Sequence, residues 1–197
     1  MRIVAGAWRG RSLVAPPGQG TRPTADRVRQ ALFDMLMHAP WGGRAVIEGA
    51  VVLDVFAGTG ALGLEALSRG AASACFIESD GAALRALRAN VAACRVEDRT
   101  QILAVDALAI GPDVMAGTGS AMTERAIGAS ASLVFLDPPY NQNLIPRALA
   151  RLREAGRIRP GALIVAETGR DETWTPDQPV LAERQHGAAR ILVFRAT

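Results

Sequence analysis

The chain has 197 residues and no lysine, so all 22 of its basic side chains are arginine. This absence excludes a Schiff-base lysine, the lysine of a G-x-x-x-x-G-K phosphate loop and a tyrosine/lysine reductase pair, because each of these chemistries needs an amine. Histidine and cysteine are nearly as scarce, with only His38, His186, Cys75 and Cys94. These four lie in no recognisable ligand spacing, so no metal is expected. Two cysteines without a disulfide framework fit a reducing compartment, which makes the cytoplasm the expected location. Long apolar runs are missing as well. The longest stretch free of charge, Ala126 to Leu136, has 11 residues, whereas a membrane-spanning helix needs about 20. The opening residues Met1 to Arg9 carry no apolar signal core, and no membrane association is expected. Tyr140 is the only tyrosine.

Hydrophobic residues nevertheless make up 49% of the chain, and at this length folding hides roughly 70% of the surface that the unfolded chain exposes. The charge is unevenly placed. Residues 1–29 hold six arginines against Asp26 alone, a balance of +5, and the other 168 residues hold 16 arginines against 18 acids, a balance of −2. Such a concentration suits a polyanionic partner, nucleic acid being the commonest, although a solvated basic arm has the same composition.

Beyond the basic arm, short β-branched runs alternate with helical patterns, as expected for βαβ units and a parallel sheet. Thr24 is the expected N-cap of a helix with Val28, Leu32, Met35 and Leu36 on one face, stopped by Pro40 and Gly42-Gly43. Strands are expected at Val51 to Phe56, Ser73 to Ile77, Gln101 to Val105, Leu133 to Leu136 and Leu163 to Ala166. Helices are expected near 61–69, 82–95 and 143–155. Val180 to Arg184 and Ala189 to Phe194, joined around His186-Gly187, read as an antiparallel hairpin closing the sheet. Gly111 to Ser130 reads as an irregular insertion.

Two motifs carry chemistry. Asp54-Val55-Phe56-Ala57-Gly58-Thr59-Gly60-Ala61-Leu62-Gly63 follows an apolar strand, opens a helix and satisfies G-x-G-x-x-G. A Cβ at Gly58 or Gly60 is expected to collide with a nucleotide-like ligand. Glu78 ends the next strand, where an acid accepts hydrogen bonds from ribose hydroxyls, and Asp106, followed by Ala107, ends the third. A nicotinamide dinucleotide and S-adenosylmethionine both fit this pattern. Asp54 favours the second, because a carboxylate is awkward beside a pyrophosphate and favourable beside a sulfonium and an amine.

The other motif is an apolar strand running into Asp137-Pro138-Pro139-Tyr140. Two prolines stiffen the turn and remove N–H groups, so the turn presents acceptors. Asp137 and the Pro138 carbonyl can accept both protons of an exocyclic base amine. Tyr140 can stack on the base, worth about 1–3 kcal/mol.

These motifs together resemble the S-adenosylmethionine-dependent amino methyltransferases. The segments Arg2-Ile3-Val4-Ala5-Gly6, Arg9-Gly10-Arg11, Thr21 to Phe33 and Gly63 to Ala71 narrow the resemblance to the RsmD family, 16S ribosomal RNA guanine-N2 methyltransferases whose target is guanine-966. The resemblance covers nearly the whole chain. It departs at Gly111 to Ser130 and at His186-Gly187-Ala188-Ala189, where the family usually reads Tyr-Gly-Asp-Thr.

The resemblance implies a Rossmann-like class I α/β fold, a mostly parallel seven-stranded sheet with a C-terminal antiparallel hairpin and a small basic N-terminal extension. Residues 1–43 are then an RNA-binding arm and helix, and residues 44–197 the methyltransferase domain. Asp137, Pro138, Pro139 and Tyr140 are the expected catalytic residues. Asp54, Phe56, Ala57, Gly58, Gly60, Glu78, Asp106 and Ala107 are expected to bind S-adenosylmethionine, leaving S-adenosylhomocysteine as product. Arg9, Arg11, Arg22, Thr24 and Arg27 are expected to meet 16S rRNA within the small ribosomal subunit or a late assembly intermediate. Arg22 and Thr24 equally fit the border of the catalytic pocket, and Trp8 fits either a stacking platform or the core. The protein is expected to act as a monomer. Competing readings are a DNA adenine-N6 methyltransferase, which normally carries an added target-recognition domain, a nicotinamide oxidoreductase, which leaves Asp-Pro-Pro-Tyr unexplained, and a non-catalytic RNA-binding assembly factor.

Overall fold

A computed structural model describes residues 1–16, 23–111 and 130–197, with side chains in the first helix from Asp26 onward. Arg22, the Thr24 side chain and most of the expected insertion, residues 112–129, lie outside the described residues. The architecture is a seven-stranded sheet of β1 (Val51–Val55), β2 (Ser73–Glu78), β3 (Thr100–Ala104), β4 (Ala131–Leu136), β5 (Ile158–Gly169), β6 (Val180–His186) and β7 (Ala189–Arg195), in the order β3-β2-β1-β4-β5-β7-β6. The first five strands are parallel, and β7 lies antiparallel between β5 and β6. Four α-helices among the described residues accompany it: α1 (Pro23–His38), α2 (Ala61–Ser68), α3 (Gly81–Cys94) and α4 (Leu144–Glu154).

Strands covered on both faces read as continuous apolar runs, and successive side chains point to opposite sides. Val52, Leu133 and Phe135 accordingly join the core beneath α1, α2 and α3, with Phe33, Leu36, Leu64 and Leu87. Leu53, Val134 and Leu136 join the core on the other face, with Leu149 and Leu152 of α4. Proline in the first helical position starts α1, since its missing N–H has no intrahelical partner to lose. The helix thus begins one residue before the expected cap. Asp80 caps α3, its side chain accepting from the Ala82 and Ala83 amides at 3.0 and 2.8 Å.

β5 runs well past the expected Leu163 to Ala166. The antiparallel ladder of Leu163 to Gly169 against β7 and the pairing of Ile158 with Ala131 fix its two ends, and the register against β4 shifts between them, where Pro160 and Gly161 stand. Tertiary pairing here overrides poor strand residues.

Residues 1–13 of the N-terminal arm form a hairpin. Arg2 and Ser12 form an antiparallel bridge, and Ile3 and Leu13 are buried in the same core as α1 and the sheet. Glu65 of α2, fully buried, docks it by accepting from the Val4 and Ala5 amides at 2.8 and 3.0 Å. Ser68 adds two contacts, accepting from the Trp8 amide and donating to the Ala5 carbonyl.

Candidate active site

Each of the five parallel strands brings a carboxylate to its C-terminal edge: Asp54 in β1, Glu78 at the end of β2, Asp106 two residues past β3, Asp137 immediately past β4 and Glu167 near the end of β5. Open α/β sheets bind ligands at this edge. The sequence pattern had marked four of the five. Glu167 follows an apolar run just as Asp137 does, and that common pattern was the available signal.

The turn after β1 enters the left-handed region at Phe56 (φ 61°), Gly58 (φ 55°) and Gly60 (φ 76°). The glycines serve different ends. A Cβ built on Gly58 meets nothing within 4 Å, so this residue opens onto the cleft. A Cβ on Gly60 would instead lie 2.4 Å from Leu87 of α3, so the missing side chain here lets α2 and α3 pack. Gly63 has the same kind of duty, its Cβ position falling 2.4 Å from the Phe76 ring. Ala107 follows Asp106 directly. It begins a short 3-10 turn capped by Asp106, whose Oδ1 accepts from Leu108 N at 2.9 Å, and is buried in the core.

Glu78 is held by three backbone amides. Its Oε2 accepts from Gly58 at 2.7 Å and its Oε1 from Ser79 and Asp80, each at 2.7 Å. A carboxylate offers about four acceptor positions, so one remains for a ligand hydroxyl.

Two clefts meet at this edge. One, of about 600 Å³, is lined by Glu78, Asp80, Asp106 and the whole Asp137 to Tyr140 turn. The other, of about 470 Å³, runs between α1 and the terminal hairpin, past Val28, Arg29, Asp54, Ala57, Glu167 and His186. Phe56, Gly58 and Asp137 line both.

The electrostatics of the junction call for a cation. Asp54 is almost wholly buried, and burial pushes its pKa up to about 8 against the opposing hydrogen bond from Gly63 N at 2.9 Å, with the charges of Asp137 and Glu78 adding to the rise. Asp137 is exposed where the two clefts meet, with protein packed around the rest of its carboxyl group. Enclosure first, and then the charge of Glu167, push its pKa up to about 7. A sulfonium or ammonium beside these acids lowers both pKa values, whereas a pyrophosphate raises them further. The residues present therefore fit S-adenosylmethionine and not a dinucleotide. Among the described residues no cluster of three or more His, Cys, Asp or Glu could hold a metal, and no helix is long and apolar enough to cross a membrane.

Tyr140 is 36% exposed, and its hydroxyl donates to Glu167 Oε1 at 2.5 Å. Burial and this bond raise its pKa. Glu172 ties the same loop to the end of β5, its Oε1 accepting from the Asn141 and Gly169 amides at 2.5 and 3.2 Å. The exposed Arg9 and Arg27 line a groove of about 540 Å³ between the arm and α1, together with Arg2. Arg11 is exposed and donates to the Ala93 carbonyl. Arg29, counted in the basic segment, is buried in ion pairs with Asp26 at 2.9 Å and Glu65 at 3.7 Å and is no phosphate ligand. Trp8 is half-buried against the core with the Arg99 guanidinium 5.7 Å from its ring centre, so both of its expected roles keep a physical basis.

This strand order, with helices on both faces and an acidic ligand edge, defines a class I S-adenosylmethionine-dependent methyltransferase fold. A solved structure, the "Putative methyltransferase yhhF from Escherichia coli", superposes with a TM-score of 0.76 at 33% identity, over 99% of this chain and 97% of that one. The chain belongs to the RsmD family: the family model described as "Conserved hypothetical protein 95" matches residues 1–195. It is 40% identical over 168 residues to the Ribosomal RNA small subunit methyltransferase D of Escherichia coli K12, covering 85% of this chain and 74% of that one. It is 35% identical over 202 residues to the protein of the same name from Haemophilus influenzae, covering 99% and 93%.

Proposed function

We propose that this protein transfers the methyl group of S-adenosylmethionine to the exocyclic N2 of a guanine in 16S rRNA, guanine-966 in the family, within the small ribosomal subunit or a late assembly intermediate. It acts as a monomer in the cytoplasm, a setting compatible with two buried free cysteines. The observation that carries this reading is the position of Asp137, which lines both clefts. Of the three residues shared by the two clefts, Phe56, Gly58 and Asp137, it alone has a polar side chain that can accept from a reacting amine.

In the larger cleft, Glu78 uses its remaining acceptor position on a ribose hydroxyl, Asp106 borders the base end, and Gly58 admits the ligand backbone. Asp54, on the wall of the adjoining cleft, stabilises the ligand's positive charge. When bound, S-adenosylmethionine supplies an electrophilic methyl on a sulfonium. The guanine leaves its stack to reach the junction, because a base edge inside folded RNA cannot meet the methyl in line. Tyr140 offers its ring to the base plane. Asp137 and the Pro138 carbonyl accept from the N2 amine and hold its lone pair toward the methyl, while Pro139 stiffens the turn. The N2–CH₃ bond forms as the S–CH₃ bond breaks, and the nitrogen then releases its proton to Asp137 or water, so no strong base is needed. Orientation of this kind can contribute about 7–11 kcal/mol. Arg9, Arg11, Arg22 and Arg27, with Thr24, hold the RNA from the arm and α1.

Asp137→Ala is expected to lose nearly all methylation of unmodified small subunits while still binding S-adenosylmethionine. Turnover at the wild-type rate would refute the assignment. Parallel incubations with free rRNA and duplex DNA, followed by digestion to nucleosides, identify the substrate and the methylated atom.

A further inference from the structure

Glu167 stands next to Asp137 and has no part in the transfer just described. In the β4–β5 register Leu136 faces Ala166, so the residues that follow, Asp137 and Glu167, lie side by side on adjacent parallel strands. Both line the smaller cleft, where Val165 and Ile191 supply apolar wall. Glu167 Oε1 accepts from the Tyr140 hydroxyl at 2.5 Å, and among the described residues Oε2 accepts no hydrogen bond. Two neighbouring carboxylates with an open acceptor between apolar walls are costly unless a ligand brings paired donors.

The geometry points to Glu167 as the residue that selects guanine, its free Oε2 accepting the N1–H of the base whose N2 amine is held by Asp137. This rests on the guanine-N2 reading above and deepens it. Guanine presents N1–H and the N2 amine as adjacent donors on one edge, and two adjacent carboxylates match that pair. Adenine presents a bare N1 beside its N6 amine. Its lone pair would oppose Oε2 with no proton between them. Sites built to hydrogen-bond a substrate N–H reject analogues lacking it by about 10⁴–10⁵-fold, because the site's own polar group is left unpaired.

Glu167 also steadies Tyr140, and the test separates the two duties. Glu167→Gln keeps the oxygen that accepts from Tyr140 and turns the other position into an N–H₂ donor, which suits adenine N1 and repels guanine N1–H. Tyr140→Phe removes the tyrosine bond and leaves the carboxylate intact. Each variant and the wild-type protein are incubated with S-adenosylmethionine and small subunits assembled from unmodified rRNA. The rates of N2-methylguanosine and N6-methyladenosine formation are read after digestion, with S-adenosylmethionine affinity and melting temperature measured alongside.

Glu167→Gln is expected to lower kcat/KM for guanine roughly 10- to 100-fold, the range of one base contact, and to raise the adenine-to-guanine ratio while S-adenosylmethionine binding stays unchanged. Tyr140→Phe is expected to slow turnover with that ratio unaltered. If the wild type forms N2-methylguanosine and Glu167→Gln keeps both its rate and its ratio, or if Tyr140→Phe shifts the ratio equally, the assignment of Glu167 falls and the function stands. If the wild type forms no N2-methylguanosine, both fall together.

Discussion

Replacing Glu65 tests how the N-terminal hairpin is held. This carboxylate is fully buried, accepts from Val4 N and Ala5 N, and pairs with Arg69 Nε at 2.7 Å and Arg29 Nε at 3.7 Å. Both arginines are themselves buried, at 5% and 6% exposure. Glu65→Ala leaves two amides without acceptors, Arg69 without its nearest counter-charge and Arg29 without one of its two. Breaking a buried pair from one side costs about 3–5 kcal/mol. Arg29 retains Asp26 at 2.9 Å and Arg69 retains Asp34 at 3.9 Å, which places the loss at the lower end of that range. Against a total stability of about 5–15 kcal/mol this is severe. In a chain of this size it lowers Tm by about 6–12 °C, taking about 2–4 °C per kcal/mol. Urea unfolding gives the free energy, and hydrogen exchange locates it, with the Val4 and Ala5 amides losing protection before the sheet does. A loss below about 1 kcal/mol with both amides still protected would refute the account.

Three other outcomes follow from the same geometry. Between its ordinary value of 3.8 and about 8, Asp54 carries a proton in the folded chain that the unfolded chain has released, so its contribution to stability falls as pH rises through that window. Asp54→Asn, which keeps an acceptor for Gly63, should remove this fall. Parallel melting curves for the ligand-free proteins from pH 5 to 8 would contradict it. In the proposed reaction Asp137 can take up the proton that the methylated amine releases, and offer both oxygens as acceptors, only when ionised, so kcat/KM should climb with pH toward a plateau above about 7, and removing the neighbouring charge with Glu167→Gln should move the inflection lower. A flat profile, or an unmoved inflection, counts against this. Neutralising Arg9 and Arg27 should reduce the log–log salt slope of RNA binding by about 0.7–0.9 per lost phosphate contact, with the S-adenosylmethionine Kd unchanged. An unaltered slope would remove the arm from the RNA interface.

Much of this molecule was legible in the sequence because its strands are buried on both faces and announce themselves as apolar runs ending in acids. Asp54, Glu78, Asp106 and Asp137 needed only local pattern to be found, as did the helices between them. What escaped depends on contacts distant in sequence. Nothing near Gly60 reveals that Leu87 occupies the space its Cβ would need. Glu65 sits in a helix otherwise apolar, and only the folded arm, 60 and 61 residues away, explains a carboxylate there. Glu167 takes its meaning from Tyr140 across 27 residues. The basic arm was visible as charge, but its burial of Ile3 and Leu13 and the neutralised state of Arg29 emerge only from packing.

Five carboxylates along the rim of the sheet also make that rim a poor landing place for an RNA backbone. On the proposed function, phosphates would be drawn instead to the exposed Arg9, Arg11 and Arg27 of the N-terminal hairpin and α1, so that basic and acidic surfaces would sort the parts of one nucleotide chain by charge. In that reading the sugar-phosphate strand would be held by the arm and α1, and an uncharged base bearing protons to donate would gain by crossing into the acidic junction. Access to the methyl group is thereby restricted before any shape is recognised, and higher salt, which weakens the grip of the arm and the repulsion at the rim together, would blunt that sorting as well as the affinity.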